Sequence, residues 1–426
     1  MTQSVLYSKV AEDGFTYNQV RKFLQEVLAL YRKHDLKSVL ILGPDDTRRD
    51  SFAGTICCIC YQVLSCWCNV DFLEADGTHA PMDEQRRKVM YPDIPNSHYF
   101  SHDWRNDTVV VGSIDSSTVH ALSDGILEKD IPVEINRKIL DPKYGLIISV
   151  GQVVPHAVAG MSNYSKNFMV GAGGSAMIHA THMIGACYGM EKIMGLDHTP
   201  ARNLMDCAQE RFLSQLPILF IQTVTRLDNR QKNVLCGLFA GNDRQAYEQA
   251  VALSHRYNII HLDHPLKTAV VWMKPEEFHS MWTANKGIYR IKRAMAQGGT
   301  LVVVAPGVSC FSEDAQMDKL IRLYGYCGKE RIVQLQRNSL ELRENPAVAA
   351  HLIHGSTEGK FTVYYYAPNL GKRNVEAVGY RFITSEELAN LFGFPGLKVG
   401  YQDESLESTY FVENPALGLW IYEQFP

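Results

Sequence analysis

Histidine has the side-chain pKa nearest neutrality, so histidine clusters are where acid, base or metal-ligand chemistry is sought first. Three clusters stand out among the fifteen histidines of this 426-residue chain: Ser101-His102-Asp103-Trp104-Arg105, Pro155-His156-Ala157-Val158-Ala159-Gly160 and His179-Ala180-Thr181-His182. Taken singly, each is equally well read as surface or hydrogen-bonded core rings. His179 and His182 stand three apart in a predicted helix, so their rings share one face, a geometry that suits a metal. Two ligands are a weak set, and the spacing is not the His-x-x-x-His of helical zinc pairs, so one ligand or none is the alternative. Lys166 reads either as a solvated lysine or as a phosphate contact or covalent anchor. After it, Phe168-Met169-Val170 leads into Gly171-Ala172-Gly173-Gly174-Ser175-Ala176, which fits G-x-G-x-x-A after a possible strand and before a helix. Glycines at a helix N-terminus allow close approach of a dinucleotide pyrophosphate, which makes an NAD(P)-dependent oxidoreductase the rival reading. This lone match lies deep in the chain, and no acidic residue ends a following strand.

These groups need elements to hold them. Val20, Phe23, Leu24, Val27, Leu28 and Tyr31 recur at helical spacing and predict an amphipathic helix. Ser38 to Leu42 is a short apolar strand that tips into the polar run Asp45-Asp46-Thr47-Arg48-Arg49, with a helix from about Phe52. Val70 to Leu73, Thr108 to Gly112 and Leu146 to Gly151 repeat the pattern. Short apolar strands separated by helical segments indicate a largely parallel, buried sheet, whose strand carboxyl ends usually carry the ligand site. The pattern restarts after His261. Thr268 to Met273 is a strand, a helix is expected from about Glu276 to Ala296, and Thr300 to Val304 is the next strand. The fold class is therefore α/β, with two α/β domains over 1–264 and 265–426 and an active site expected in the cleft between them.

Composition narrows the function. The chain is 46% hydrophobic and 21% charged, with a net charge of −4 and scattered basic residues, which argues against a nucleic-acid surface. No apolar run approaches a membrane span, and Met1 to Asp13 lacks the apolar segment of a signal peptide, so a cytoplasmic protein is expected. The ten cysteines include Cys57, Cys58, Cys60, Cys66 and Cys68, whose spacings do not match a zinc ribbon; buried helix thiols are expected instead.

Taken in order along the chain, these segments resemble the nickel-dependent lactate racemase family. The longest match runs from His156 to Lys166 and on to His182-Met183-Ile184-Gly185-Ala186, with ten residues from His156 to Lys166 and sixteen from Lys166 to His182. Asp45-Asp46-Thr47-Arg48 resembles the family's Asp-x-Thr-Arg, and Gly77-Thr78-His79-Ala80-Pro81-Met82 its Gly-Thr-His-Arg-Pro. Ser101-His102-Asp103 resembles Asn-His-Asp, and Thr199-Pro200-Ala201-Arg202 resembles Asn-Pro-Val-Arg. Tyr289 to Met295 resembles a Tyr-Gln-Ala-x-Lys-Ala-Leu helix.

The resemblance implies a nickel-pincer nucleotide, a pyridinium-3-thioamide-5-thiocarboxylic acid mononucleotide, attached covalently to Lys166, with His182 as nickel ligand. It implies acid/base roles for His102 and His156, and cofactor contacts for Asp45, Arg48, Gly77, Thr78 and His79. Substrate contacts fall to Arg48, Tyr289, Arg290 and Arg293. The implied reaction inverts C2 of a 2-hydroxy acid by hydride transfer, because removing a proton beside a carboxylate is harder than removing a hydride to leave a planar keto acid. A family member that binds cofactor or nickel without turnover is a third reading, and a homo-oligomer is left open. The chain departs from the pattern in three places. Ser162-Asn163-Tyr164 replaces a Ser-Gly-Gly turn, Val170-Gly171 replaces Pro-Gly, and Arg290 and Arg293 replace a glutamine and a lysine. Arginine grips carboxylate or phosphate in two-point fashion, so the expected substrate is larger or more anionic than lactate, such as a dicarboxylic or sugar acid.

Overall fold

The computed structural model describes residues 6–34, 36–228, 232–404 and 408–422. The chain divides into two compact units, 1–184 with 195–258 and 185–194 with 259–426. The sequence reading placed its break at 264/265 and anticipated no exchange of 185–194.

Among the described residues, the first unit contains strands β1 (Leu6–Val10), β2 (Ser38–Gly43), β3 (Asn69–Glu74), β4 (Tyr99–Phe100), β5 (Thr108–Ile114), β6 (Ile131–Asn136), β7 (Leu146–Gln152), β8 (Pro155–His156), β9 (Gly160–Met161), β10 (Ile218–Leu227) and β11 (Asn233–Gly241). Seven of them form one sheet in the order β1-β11-β10-β7-β2-β3-β4. From β10 to β4 every pairing is parallel, while β11 runs antiparallel to both β10 and β1. β7 is buried at every position and β2 at all but its first, as expected of strands covered on both faces. Helix α1 (Tyr17–Ala29) buries Val20, Phe23, Leu24, Val27 and Leu28, the stripe that its spacing predicts, and Thr16 and Gln19 close its N-terminus as a capping box. Helix α2 (Ala53–Leu64) buries Cys57, Cys58 and Cys60, and burial pushes their thiols up, that of Cys58 to about 11. The run Thr108 to Gly112 is a strand, but β5 pairs only with β6 in an antiparallel ribbon outside the main sheet.

The second unit contains β12 (Ile259–His261), β13 (Leu266–Trp272), β14 (Met295–Val304), β15 (Phe361–Tyr366), β16 (Arg381–Phe382), β17 (Gly400–Tyr401), β18 (Thr409–Val412) and β19 (Leu419–Ile421). Its six-stranded sheet, β16-β15-β14-β13-β18-β17, is parallel except at the β17 edge. The long helix expected from about Glu276 to Ala296 is instead two short ones, Met281–Ala284 and Lys286–Ile291, and β14 already begins at Met295. No helix among the described residues is long and apolar enough to cross a membrane.

Candidate active site at the carboxyl edge of the first sheet

Strands β7, β2, β3 and β4 are neighbours that point the same way, so the segments leaving them converge on one edge despite their distance in sequence. Those segments carry His156 and Lys166 after β7, Asp45 to Arg48 after β2, Asp76 to His79 after β3 and His102 after β4.

Lys166 ends a loop of unusual backbone. Asn163 and Tyr164 both adopt left-handed conformations (φ 67° and 57°), where the family pattern has two glycines. For a tyrosine this costs about 1–2 kcal/mol. The surroundings hold it in place. The Tyr164 ring stacks on Tyr247 at 5.1 Å and tilts against Phe220 at 4.6 Å. The Asn163 amide donates to Gly151 O at 2.7 Å, and a side chain at Gly151 would meet Asn163 Oδ1 at 2.8 Å. Fully buried Arg202 donates to Ser165 Oγ at 2.7 Å, to Asn163 O at 3.2 Å and to Met161 O. The loop is therefore fixed from three sides, and Lys166 with it. Its Nζ has no hydrogen bond or ion pair among the described residues. Burial, then the charges of Arg48 and Arg202, push the amine down to about 7, against a smaller upward pull from Asp45.

Asp45 caps the short helix Asp46–Ser51, accepting from Thr47 N at 3.0 Å and Thr47 Oγ1 at 2.6 Å, and it pairs with His79 Nδ1. Burial opposes its ionisation, but the His79 ring, the Thr47 hydroxyl and Arg48 outweigh burial and hold the carboxyl well below its ordinary range. Gly77 has φ 65° and its N–H donates to Gly171 O at 2.9 Å, which ties the Gly77-Thr78-His79 turn to the segment following Lys166. Thr78 and His79 are half-buried.

Helix α3 (Ser175–Tyr188) carries His179 and His182. His182 Nδ1 bonds the Ile178 carbonyl at 2.7 Å, so the proton sits on Nδ1 and Nε2 keeps its lone pair. Burial pushes this imidazole down to about 4. The Ile178 bond opposes that, while the charges of Lys166, His179 and His79 add to it. Charges of Arg48 and Asp45 thus act on Lys166, and those of Lys166 and His79 on His182, which gathers these side chains in one neighbourhood. His179 instead packs edge-on to Trp104 at 5.9 Å.

The glycine-rich segment is not a dinucleotide loop. Asn167–Gly171 is a π-helical turn where a strand was expected. Glu134 Oε2 already accepts from Ala176 N at 2.9 Å at the start of α3, so a carboxylate occupies the place a pyrophosphate would need. The NAD(P) reading loses its structural basis there.

His102 is placed as a latch. Asn136 Oδ1 accepts from Lys138 N at 3.0 Å, which turns Asn136 Nδ2 toward His102 Nδ1 at 2.9 Å. The ring proton therefore lies on Nε2, which donates to Gly173 O at 3.0 Å. Both nitrogens are engaged, so proton exchange at His102 requires the ring to let go of the 171–174 segment first. His156 Nδ1 accepts from Val158 N at 3.1 Å and Ala159 N at 3.2 Å, which puts its proton on Nε2.

Two carboxyls at this edge escaped the sequence reading. Fully buried Glu74 accepts from Tyr99 Oη at 2.8 Å and Met82 N at 3.2 Å. Burial and the Asp45 charge raise it to about 7, with the Tyr99 bond opposing. Asp76 is 5% exposed and neither of its oxygens has a hydrogen-bond partner. The available signal was an acidic residue at a strand's carboxyl end, immediately before a turn glycine.

In the second unit Tyr289 is buried, its hydroxyl bonded to His351 Nδ1 at 2.8 Å. Arg290, expected to grip substrate, is 3% exposed and donates to Gly418 O at 3.0 Å, so its guanidinium is engaged within its own unit. Arg293 is half-buried just beyond the helix.

The mostly parallel α/β sheet places the Lys166 amine at its carboxyl edge, where open sheets of this kind usually bind ligands. Residues 23–192 match the lactate racemase N-terminal domain. Two solved structures share the fold. A Thermotoga maritima protein known from its crystal structure is 24% identical with a TM-score of 0.84, the match covering 97% of this chain and 100% of that one. The lactate racemase apoprotein of Thermoanaerobacterium thermosaccharolyticum is 16% identical with a TM-score of 0.68, over 99% and 95% respectively. No curated protein matches the chain.

Proposed function

We propose that this protein is a racemase or epimerase that inverts C2 of a 2-hydroxy acid, using a nickel-pincer pyridinium mononucleotide carried on Lys166. The observation that carries this reading is the pairing of an unpartnered amine, shifted to about 7, with an imidazole whose Nε2 lone pair is held ready by the Ile178 carbonyl. A desolvated amine beside cationic groups is a nucleophile at neutral pH and suits a thioamide link. Among the described residues no three His, Cys, Asp or Glu side chains gather as a metal cage. His182 would hold the nickel through Nε2, with further donors brought by the cofactor.

When bound, this group supplies a pyridinium ring able to take up the C2 hydrogen with its electron pair. The chain's own residues do the rest. Arg48 offers a cation to the substrate carboxylate or the nucleotide phosphate, and the Asp45–His79 pair holds the neighbouring turn. His156 follows β7 in the chain, with its ring proton on Nε2. His102 and His156 are assigned the hydroxyl proton on the two faces, His102 after release from Gly173. Arg290 is engaged by Gly418 O within its own unit, so its guanidinium lends no support to a dicarboxylic or sugar acid. The test is intact mass and nickel content of protein matured with the cofactor. An adduct on Lys166 with one nickel, the nickel lost in His182→Gln and both lost in Lys166→Ala, is expected. An unmodified Lys166 in active protein would refute the proposal.

A further inference from the structure

We infer that Asp76 is a seat for a cationic group of the bound ligand, and that it holds a proton until that group arrives. The inference builds on the proposed reading, in which the ligand carries a pyridinium ring. Asp76 is buried, and both of its carboxyl oxygens lack any partner. A buried carboxyl left without a donor is destabilising, and such a group calls for a cause. Its position supplies one. It lies in the turn leaving β3, directly before Gly77, on the edge that also carries Asp45 and Lys166.

The leading charge effects on Asp76 come from carboxyls, Glu74 of β3, Asp45 of the segment after β2 and Asp103 of the segment after β4, while its own backbone N–H pulls the other way. With burial as the largest cause, they raise it to about 10. A negative surrounding that retains a proton favours a cation in its place and disfavours an anion. In the proposed reading the ligand's own cation is its pyridinium ring, which makes an organic cation the occupant. The exchange balances simply. The carboxyl proton passes to solvent as the positive ring enters, so one proton is released for each ligand bound and no other bond changes.

Calorimetric titration of the full chain with nicotinamide mononucleotide at pH 8, in two buffers of different ionisation enthalpy, reads that proton directly. At this pH Glu74 is largely ionised already and contributes little. The wild type is expected to release about one proton, and Asp76→Asn close to none, with binding about 10- to 100-fold weaker. The reduced mononucleotide, which has the same ribose phosphate but an uncharged ring, is expected to release none. Tight binding of the oxidised form without proton release, or an unchanged release in Asp76→Asn, overturns the seat and leaves the proposed function standing. Failure of both forms to bind overturns the pyridinium reading and the seat with it. A second readout is independent of ligand. The raised Asp76 carboxyl loses stability for the wild type as pH rises from about 4 toward 10, so Asp76→Asn should gain Tm over that window. A lower Tm for the variant at pH 8 would mean that the carboxyl already has a partner, and the seat fails.

Discussion

If the Lys166 amine titrates near 7, it should be the fastest-reacting lysine of the ligand-free protein at neutral pH. A water-exposed lysine titrates near ~10.4, so at pH 7 only about one amine in 2,500 is neutral, against roughly half for a group at 7. Lower basicity also lowers intrinsic nucleophilicity. With a slope of about 0.4–0.5, as for thiols, a shift of ~3.4 units costs roughly 30-fold and leaves an advantage of about 40-fold. Partial burial reduces the rate but not the midpoint, so the midpoint is the better quantity. Competitive labelling with isotopic acetic anhydride across pH 5–11, read by peptide mass spectrometry, gives it. The causes make the sign testable. Arg48→Gln removes a like charge and should raise the midpoint, whereas Asp45→Asn removes an opposite charge and should lower it, each by on the order of one unit. A midpoint above about 9, or one indifferent to both substitutions, would refute the reasoning about this amine and with it the case for a covalent anchor.

Other consequences follow from the same packing. Lys166→Met should raise Tm; the gain should grow as pH falls from about 10 to about 7 and level off below, because only the unfolded chain holds the proton in that window. Arg202→Met removes a fully buried cation from Ser165, Asn163 and Met161 and should destabilise by about 3–5 kcal/mol in denaturant melts, well above the effect of an exposed arginine. Asn163→Ala loses the bond to Gly151 and strains a left-handed backbone, for a cost of about 2–4 kcal/mol; a change under about 1 kcal/mol would mean the loop is held elsewhere. Nitrogen-15 spectra of His102 should show the proton on Nε2 and a titration below the ordinary 6.5, since burial lowers it against the opposing Gly173 bond; a proton on Nδ1 would contradict the latch.

Where a segment's periodicity is long and consistent, sequence and structure agree closely. The α1 stripe is the stripe that buries, and β2, β3 and β7 fall within a residue or two of their apolar runs. Short apolar runs are ambiguous, because three residues carry no period. Phe168-Met169-Val170 reads as a strand end yet forms a π-helical turn, because Asn167 O accepts from Ala172 N at 2.8 Å and closes the turn. The expected long helix is broken at Asn285, which ends the short helix Met281–Ala284 and caps the next, Lys286–Ile291. Within the candidate site, residue types at fixed spacing single out Lys166 and His182 as candidates. Their environments were not, since protonation depends on Arg48, Arg202 and Ile178, whose proximity only the fold creates. Asp76 was invisible for the same reason, as lacking a partner is a property of packing. Arg290 shows the converse, a residue type suited to substrate whose partner turns out to be a backbone carbonyl.

The most direct measurement of the central proposal uses cofactor-loaded protein and a 2-hydroxy acid deuterated at C2, with the inverted product separated by chiral chromatography and weighed. Internal return of hydrogen with its electron pair predicts that the inverted product keeps its deuterium in ordinary water. Loss of deuterium at the rate of inversion would contradict the account and point to proton abstraction instead.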